Sequence, residues 1–137
     1  MMTMQKHILF EESAVKETLR ELKKLGYIWT NLKYTNKNRY CIVIGNPHIS
    51  ILLKSDPFFN FGYKFGKLGE KGVGDSINCL HLSEFIRNEV KVIYIKFRDG
   101  KLYYITLENF LNHSHKWLQK EGTWVRSISI HHYRRAN

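Results

Sequence analysis

A chain of 137 residues, 43% of them apolar and 14% aromatic, can close one hydrophobic core and is too apolar to remain disordered. Its 22 Lys and Arg outnumber 12 Asp and Glu, and the net charge of +10 points to polyanionic partners, nucleic acid foremost. No apolar run approaches the ~18 residues of a membrane span, and no basic amphipathic helix or lipidation signal stands out, so no membrane partner is expected.

Residues 10–26 predict a helix, because Val15, Leu19 and Leu22, with Thr18 and Leu25 beside them, recur at three- and four-residue spacing. Glu11 and Glu12 fall in its first turn and Lys23 and Lys24 in its last, each sign complementing the helix dipole, and Gly26 is a natural stop. Glu12 is spaced to project from the edge of the apolar face. Residues 27–35 are rich in aromatic and β-branched side chains and predict a strand, followed by the polar turn Asn36-Lys37-Asn38. The runs 40–44 and 49–53 are almost continuously apolar, as in central strands covered on both faces, and Gly45-Asn46-Pro47 turns between them.

Residues 56–74 are irregular, with Phe58, Phe59, Phe61, Tyr63 and Phe65 set among five glycines. Asp75 can cap a helix over 76–89 with Cys79, Leu82 and Ile86 on one face. Strands 91–97 and 102–107 flank Arg98-Asp99-Gly100-Lys101, a hairpin turn. The repeat at 107, 110, 111, 114 and 118 predicts an amphipathic helix over 107–120, then a strand over 123–130 and a basic C-terminal tail over 131–137. The reading is an α/β fold: a single domain, 1–137, with a central mixed sheet flanked by helices in the order αβββαββαβ. Cys41 and Cys79 lack CxxC spacing and read as buried, reduced thiols. The first residues lack the apolar core of a signal peptide, so a cytoplasmic location is expected.

A helix, a three-stranded meander ending in Lys54, a crossover helix and a further strand resemble the core of the PD-(D/E)XK superfamily, the restriction endonuclease-like and Holliday junction resolvase-like nucleases. The resemblance covers roughly residues 10–110 and implies a restriction endonuclease-like fold acting on nucleic acid. In that family one strand carries an Asp, the next carries Glu or Asp, any residue, then Lys, and the preceding helix often adds a Glu. Carried over, Glu12 matches the helix acid, Cys41 and Leu52 the two strand carboxylates, and Lys54 the lysine. A thiol is a poor ligand for Mg²⁺ and leucine offers none, so the resemblance implies a nuclease frame that has lost its metal-binding acids, with no metal or other cofactor expected.

Three functions compete. The first is nucleic-acid binding, DNA in the first instance, without hydrolysis. Its contacts would come from Lys33, Lys37, Arg39, Lys64, Lys67, Arg126, Arg134 and Arg135, with Arg39 at the mouth of the expected site. The second is an active endonuclease with migrated acids, in which Glu12, Asp56, Glu70 and Asp75 hold Mg²⁺. The third is a protein-interaction or inhibitor module of a mobile element or virus. Many nucleases of this kind pair as homodimers, although no residue here identifies an interface. The aromatics of 58–65, interleaved with Lys64 and Lys67, could stack on unpaired bases or fold into the core, the second being the commoner use. His113 and His115 on one helix would diverge by about 200°, so no zinc site is expected. Neither a phosphate loop nor a Ser-His-Asp arrangement is present.

Overall fold

The computed structural model describes residues 2–35, 40–54 and 74–137. Helix α1 (Met2–Lys24) starts earlier than the apolar spacing indicated and ends at Gly26, whose φ of +92° continues no helix. Three antiparallel strands follow, β1 (Ile28–Thr35), β2 (Tyr40–Asn46) and β3 (Ile49–Lys54). After them come β4 (Gly74–Asn78), α2 (Cys79–Arg87), β5 (Val92–Phe97), β6 (Leu102–Thr106) and α3 (Leu107–His113). Strands β7 (His115–Leu118) and β8 (Trp124–Ser129), a 3-10 turn (Ile130–His132) and β9 (Arg134–Arg135) complete the chain.

Six strands form one mixed sheet in the order β1-β2-β3-β5-β6-β9, with β3 and β5 parallel and the other pairs antiparallel. The expected α/β class with a mixed sheet flanked by helices is therefore the one adopted. Side chains alternate across β2 and β3, and this alternation divides the core. Cys41, Val43, Ile49, Ile51 and Leu53 point to one face, where Ala14, Val15, Leu19 and Leu22 of α1 cover them. Tyr40, Ile42 and Leu52 point to the other, against Leu82 and Phe85 of α2, Phe110 of α3, and Ile77 and Ile128. Burial on both faces explains why these two strands read as unbroken apolar runs. Phe85 and Phe110 are fully buried, and truncating either to alanine would cost about 3–5 kcal/mol.

The α1 face also holds a buried charge. Lys96 of β5, 3% exposed, reaches Glu17 at 3.2 Å and Glu21 at 3.6 Å and donates to the Gly100 carbonyl. This lysine locks α1 onto the sheet by charge as well as by packing.

Several expectations need correction. Residues 76–89 do not form one helix. Residues 74–78 pair with β8, and Asn78, whose side chain accepts from the Leu80 N–H, caps a shorter helix. That shift leaves Leu82 and Phe85 buried and Ile86 exposed. The helix over 107–120 stops at Ser114, because His115–Leu118 fold back on β8 through a turn in which Gly122 takes a φ of +88°. The basic C-terminal residues 131–137 are part of the fold: Tyr133 is buried, Arg134 and Arg135 pair with β6, and Asn137 accepts from the Leu102 N–H. Finally, Leu25 is 72% exposed, and Cys79 is half-buried at the start of α2. The short strands β4, β8 and β7 make a second, three-stranded sheet that the sequence reading lacked.

Candidate functional site

The parallel pair β3 and β5 determines where a site can form, since ligands of α/β sheets collect beyond the carboxyl ends of such strands. Lys54 is the last residue of β3 and stands beside Phe97 at the end of β5. It follows Leu52 on the face turned away from α1. Its ammonium donates to the Ser76 carbonyl at 2.8 Å and lies 3.1 Å from Asp75 Oδ1. Asp75 is 2% exposed, and its other oxygen accepts from the Tyr133 hydroxyl at 2.7 Å. Oδ1 is at ion-pair distance from Lys54 without hydrogen-bond alignment, so it makes no hydrogen bond among the described residues. Burial first, and then the Asp75 charge and hydrogen bond, push the Tyr133 phenol well above its ordinary range and keep it a donor.

A cleft of about 340 Å³ opens beside this pair. Leu52, Ile77 and Val125 supply apolar wall, and Lys54, Ser76, Asn78, His81, Gln119 and Thr123 supply polar groups. His81 rests on the Tyr40 ring at a centroid distance of 4.9 Å. Burial, and then the Lys54 charge, lower its pKa from 6.5, so the imidazole is neutral at pH 7 with one donor and one acceptor. Three separate chain segments meet here: the end of β3, the β4–α2 junction and the tip of the β7–β8 hairpin.

The residues matched to the nuclease motif do not converge on this place. Cys41 is opposite Ile51 and points into the α1 side of the core, whereas Leu52 is opposite Tyr40 and points to the α2 side with Lys54. The sheet thus separates Cys41 from Leu52 and Lys54. Burial pushes the Cys41 thiol up to about 12, so it is a protonated core group. Glu12 is exposed on the α1 side, where its charge acts on Tyr34 of β1. Asn78, and not Asp75, caps α2, which leaves Asp75 as the carboxylate that meets Lys54.

Among the proposed phosphate contacts, Arg134 and Arg135 are exposed on the edge strand β9, and Arg135 lies over the Tyr103 ring. Lys33 donates to Asn88 Oδ1. Arg126 is committed within the fold, donating to Ser114 Oγ and to the Leu111 and Ser114 carbonyls. Lys37, Arg39, Lys64 and Lys67, the acids Asp56 and Glu70, and the aromatic run 58–65 lie outside the described residues.

Asp75 as arranged does not suit Mg²⁺: one oxygen is held by a tyrosine hydroxyl and the other faces an ammonium, which repels a cation. Among the described residues no three His, Cys, Asp or Glu side chains gather as a metal site. His113 does not share a helix with His115. It stacks on His132 instead, with ring centroids 4.4 Å apart. Among the described residues no helix is long and apolar enough to cross a membrane. Comparison with protein-family models, with curated proteins and with solved structures finds no match for this chain.

Proposed function

We propose that this protein binds nucleic acid, DNA in the first instance, through cations that its own acids leave uncompensated. The carrying observation is how the charges are distributed. Of 12 acids, at least five are engaged in internal ion pairs: Asp75 with Lys54, Glu17 and Glu21 with Lys96, Glu84 with Arg87, and Asp99 with Lys101. Exposed cations such as Lys91, Lys116, Lys120, Arg134 and Arg135 therefore face solvent with little opposing charge, the condition under which phosphates displace counterions.

The strand order adds support. An α1-led antiparallel meander and a strand parallel to β3, reached through β4 and α2, resemble the core order expected of the PD-(D/E)XK nucleases, which act on nucleic acid. The likeness to their motif is weaker, because Cys41 is on the wrong face to share a site with Leu52 and Lys54. The function proposed here rests on charge and core order, and a cytoplasmic location accords with it. The test is a binding titration with a 20-base-pair duplex beside a control protein of equal size and charge. Binding tighter than the control supports the reading, and equal binding favours the protein-interaction module.

The geometry disfavours the competing reading, an endonuclease with a relocated acid: buried Asp75 stands 3.1 Å from the lysine at the end of β3 and faces its ammonium instead of an open metal position. Plasmid nicking with Mg²⁺ or Mn²⁺ that disappears in Asp75→Asn would establish it.

A further inference from the structure

We infer that the cleft beside Lys54 receives a single unpaired nucleobase. The inference rests on the nucleic-acid reading and assigns a role to a place distinct from the exposed cations. A phosphate is a poor occupant here, because among the described residues the only cation in the lining, Lys54, is already balanced by Asp75 at 3.1 Å. Among the described residues the lining is close to electroneutral, since Lys54 is paired and burial holds the His81 imidazole below its ordinary pKa.

Its chemistry suits a flat heterocycle. Leu52, Ile77 and Val125, core residues only 2–5% exposed, show the cleft a small aliphatic floor against which the edge or face of an extruded base can pack. His81 offers one donor and one acceptor. The Gln119 carboxamide offers both kinds and, like the Thr123 hydroxyl, makes no side-chain hydrogen bond among the described residues. A volume of about 340 Å³ is at the lower end for small-molecule pockets and is enough for one base with part of its sugar. A paired base within a duplex could not reach these edges, so the cleft selects loops, bulges and single strands.

The full chain is titrated with a matched duplex, with the same duplex carrying one bulged 2-aminopurine, and with a third whose bulge is abasic. The bulged probe binds about tenfold tighter than the matched duplex, the scale expected for one stacked and hydrogen-bonded base. Its fluorescence changes on binding, and the abasic bulge loses the gain. Gln119→Ala, at an exposed hairpin tip, and His81→Ala bring the bulged probe down to the affinity of the matched duplex. Equal affinity for bulged and matched probes, or a bulge preference that survives Gln119→Ala, overturns the base pocket while the nucleic-acid reading stands. Binding no tighter than the charge-matched control on all three probes overturns both.

Discussion

Tyr133 and Asp75, 58 residues apart, share a 2.7 Å hydrogen bond in the interior, and the same carboxylate faces Lys54 at 3.1 Å. The bond fastens the C-terminal segment to β4, and the ion pair fastens β4 to the end of β3. Removing the carboxylate leaves a half-buried ammonium and a buried hydroxyl without their partner. Asp75→Ala should lower stability by about 2–4 kcal/mol, and Tyr133→Phe by about 1–2 kcal/mol. Urea unfolding of the two variants checks both the values and their order. A harmless Asp75→Ala would show that the pair does not hold the second sheet in place.

Gly45 in β2 offers a steric test. A Cβ there would meet the Tyr27 hydroxyl and stand 2.6 Å from the Ile28 carbonyl oxygen, which is backbone and cannot swing away. Gly45→Ala should cost about 2–3 kcal/mol, as overpacking does. Gly100 has open space around it and only an unfavourable φ of +96°, so Gly100→Ala should cost about 1 kcal/mol. Thermal melts of the pair distinguish a clash from a conformational penalty.

The two thiols should differ in reactivity. Cys41 is fully buried with its pKa raised to about 12, whereas Cys79 is half-buried at the start of α2. A thiol titration with DTNB at pH 8 should find one group reacting quickly and a second only on unfolding. Because the folded-state pKa lies above the ordinary 9.0, the unfolded chain loses this proton first. Stability therefore falls as pH rises from about 9 towards 12, and Cys41→Val removes part of that fall. Two fast thiols would contradict the placement of Cys41 behind α1.

On the acid side, His81 carries the argument. Burial, then Lys54, depress its folded-state pKa below 6.5, so the unfolded chain takes up the proton first. The contribution of a neutral His81 is present above pH 6.5 and is lost as pH falls through its lower folded-state value. His81→Gln should flatten this part of the stability profile, as followed by denaturant midpoints between pH 7 and 5.

The sequence made the main sheet legible because its central strands are covered on both faces and carry unbroken apolar runs. The β5–β6 hairpin was readable from its Asp99-Gly100 turn, and α1 from the spacing of Val15, Leu19 and Leu22. The second sheet was not, for local reasons. Asp75 and Asn78 are both good capping residues three positions apart, and only pairing with β8 decides between them. Residues 107, 110 and 111 do lie on a helix, but Leu118 continues their spacing by coincidence and belongs to a hairpin. The candidate site was half legible. Lys54 was singled out as the end of β3, but which face it shares with which neighbour depends on strand register. A register that sets Cys41 against Ile51 and Leu52 against Tyr40 puts the two supposed carboxylate positions on opposite sides of the sheet. Tyr133 carries no local signal at all, since its partner is 58 residues away.

The most direct test of the central claim is the affinity for a 20-base-pair DNA duplex measured across 50 to 200 mM salt. Engagement of about four phosphates by the uncompensated cations gives a drop of roughly a hundredfold over that range, and Arg134→Ala and Arg135→Ala each reduce the logarithmic slope by about 1. An affinity independent of salt, or no tighter than that of a charge-matched control at 50 mM, would contradict it.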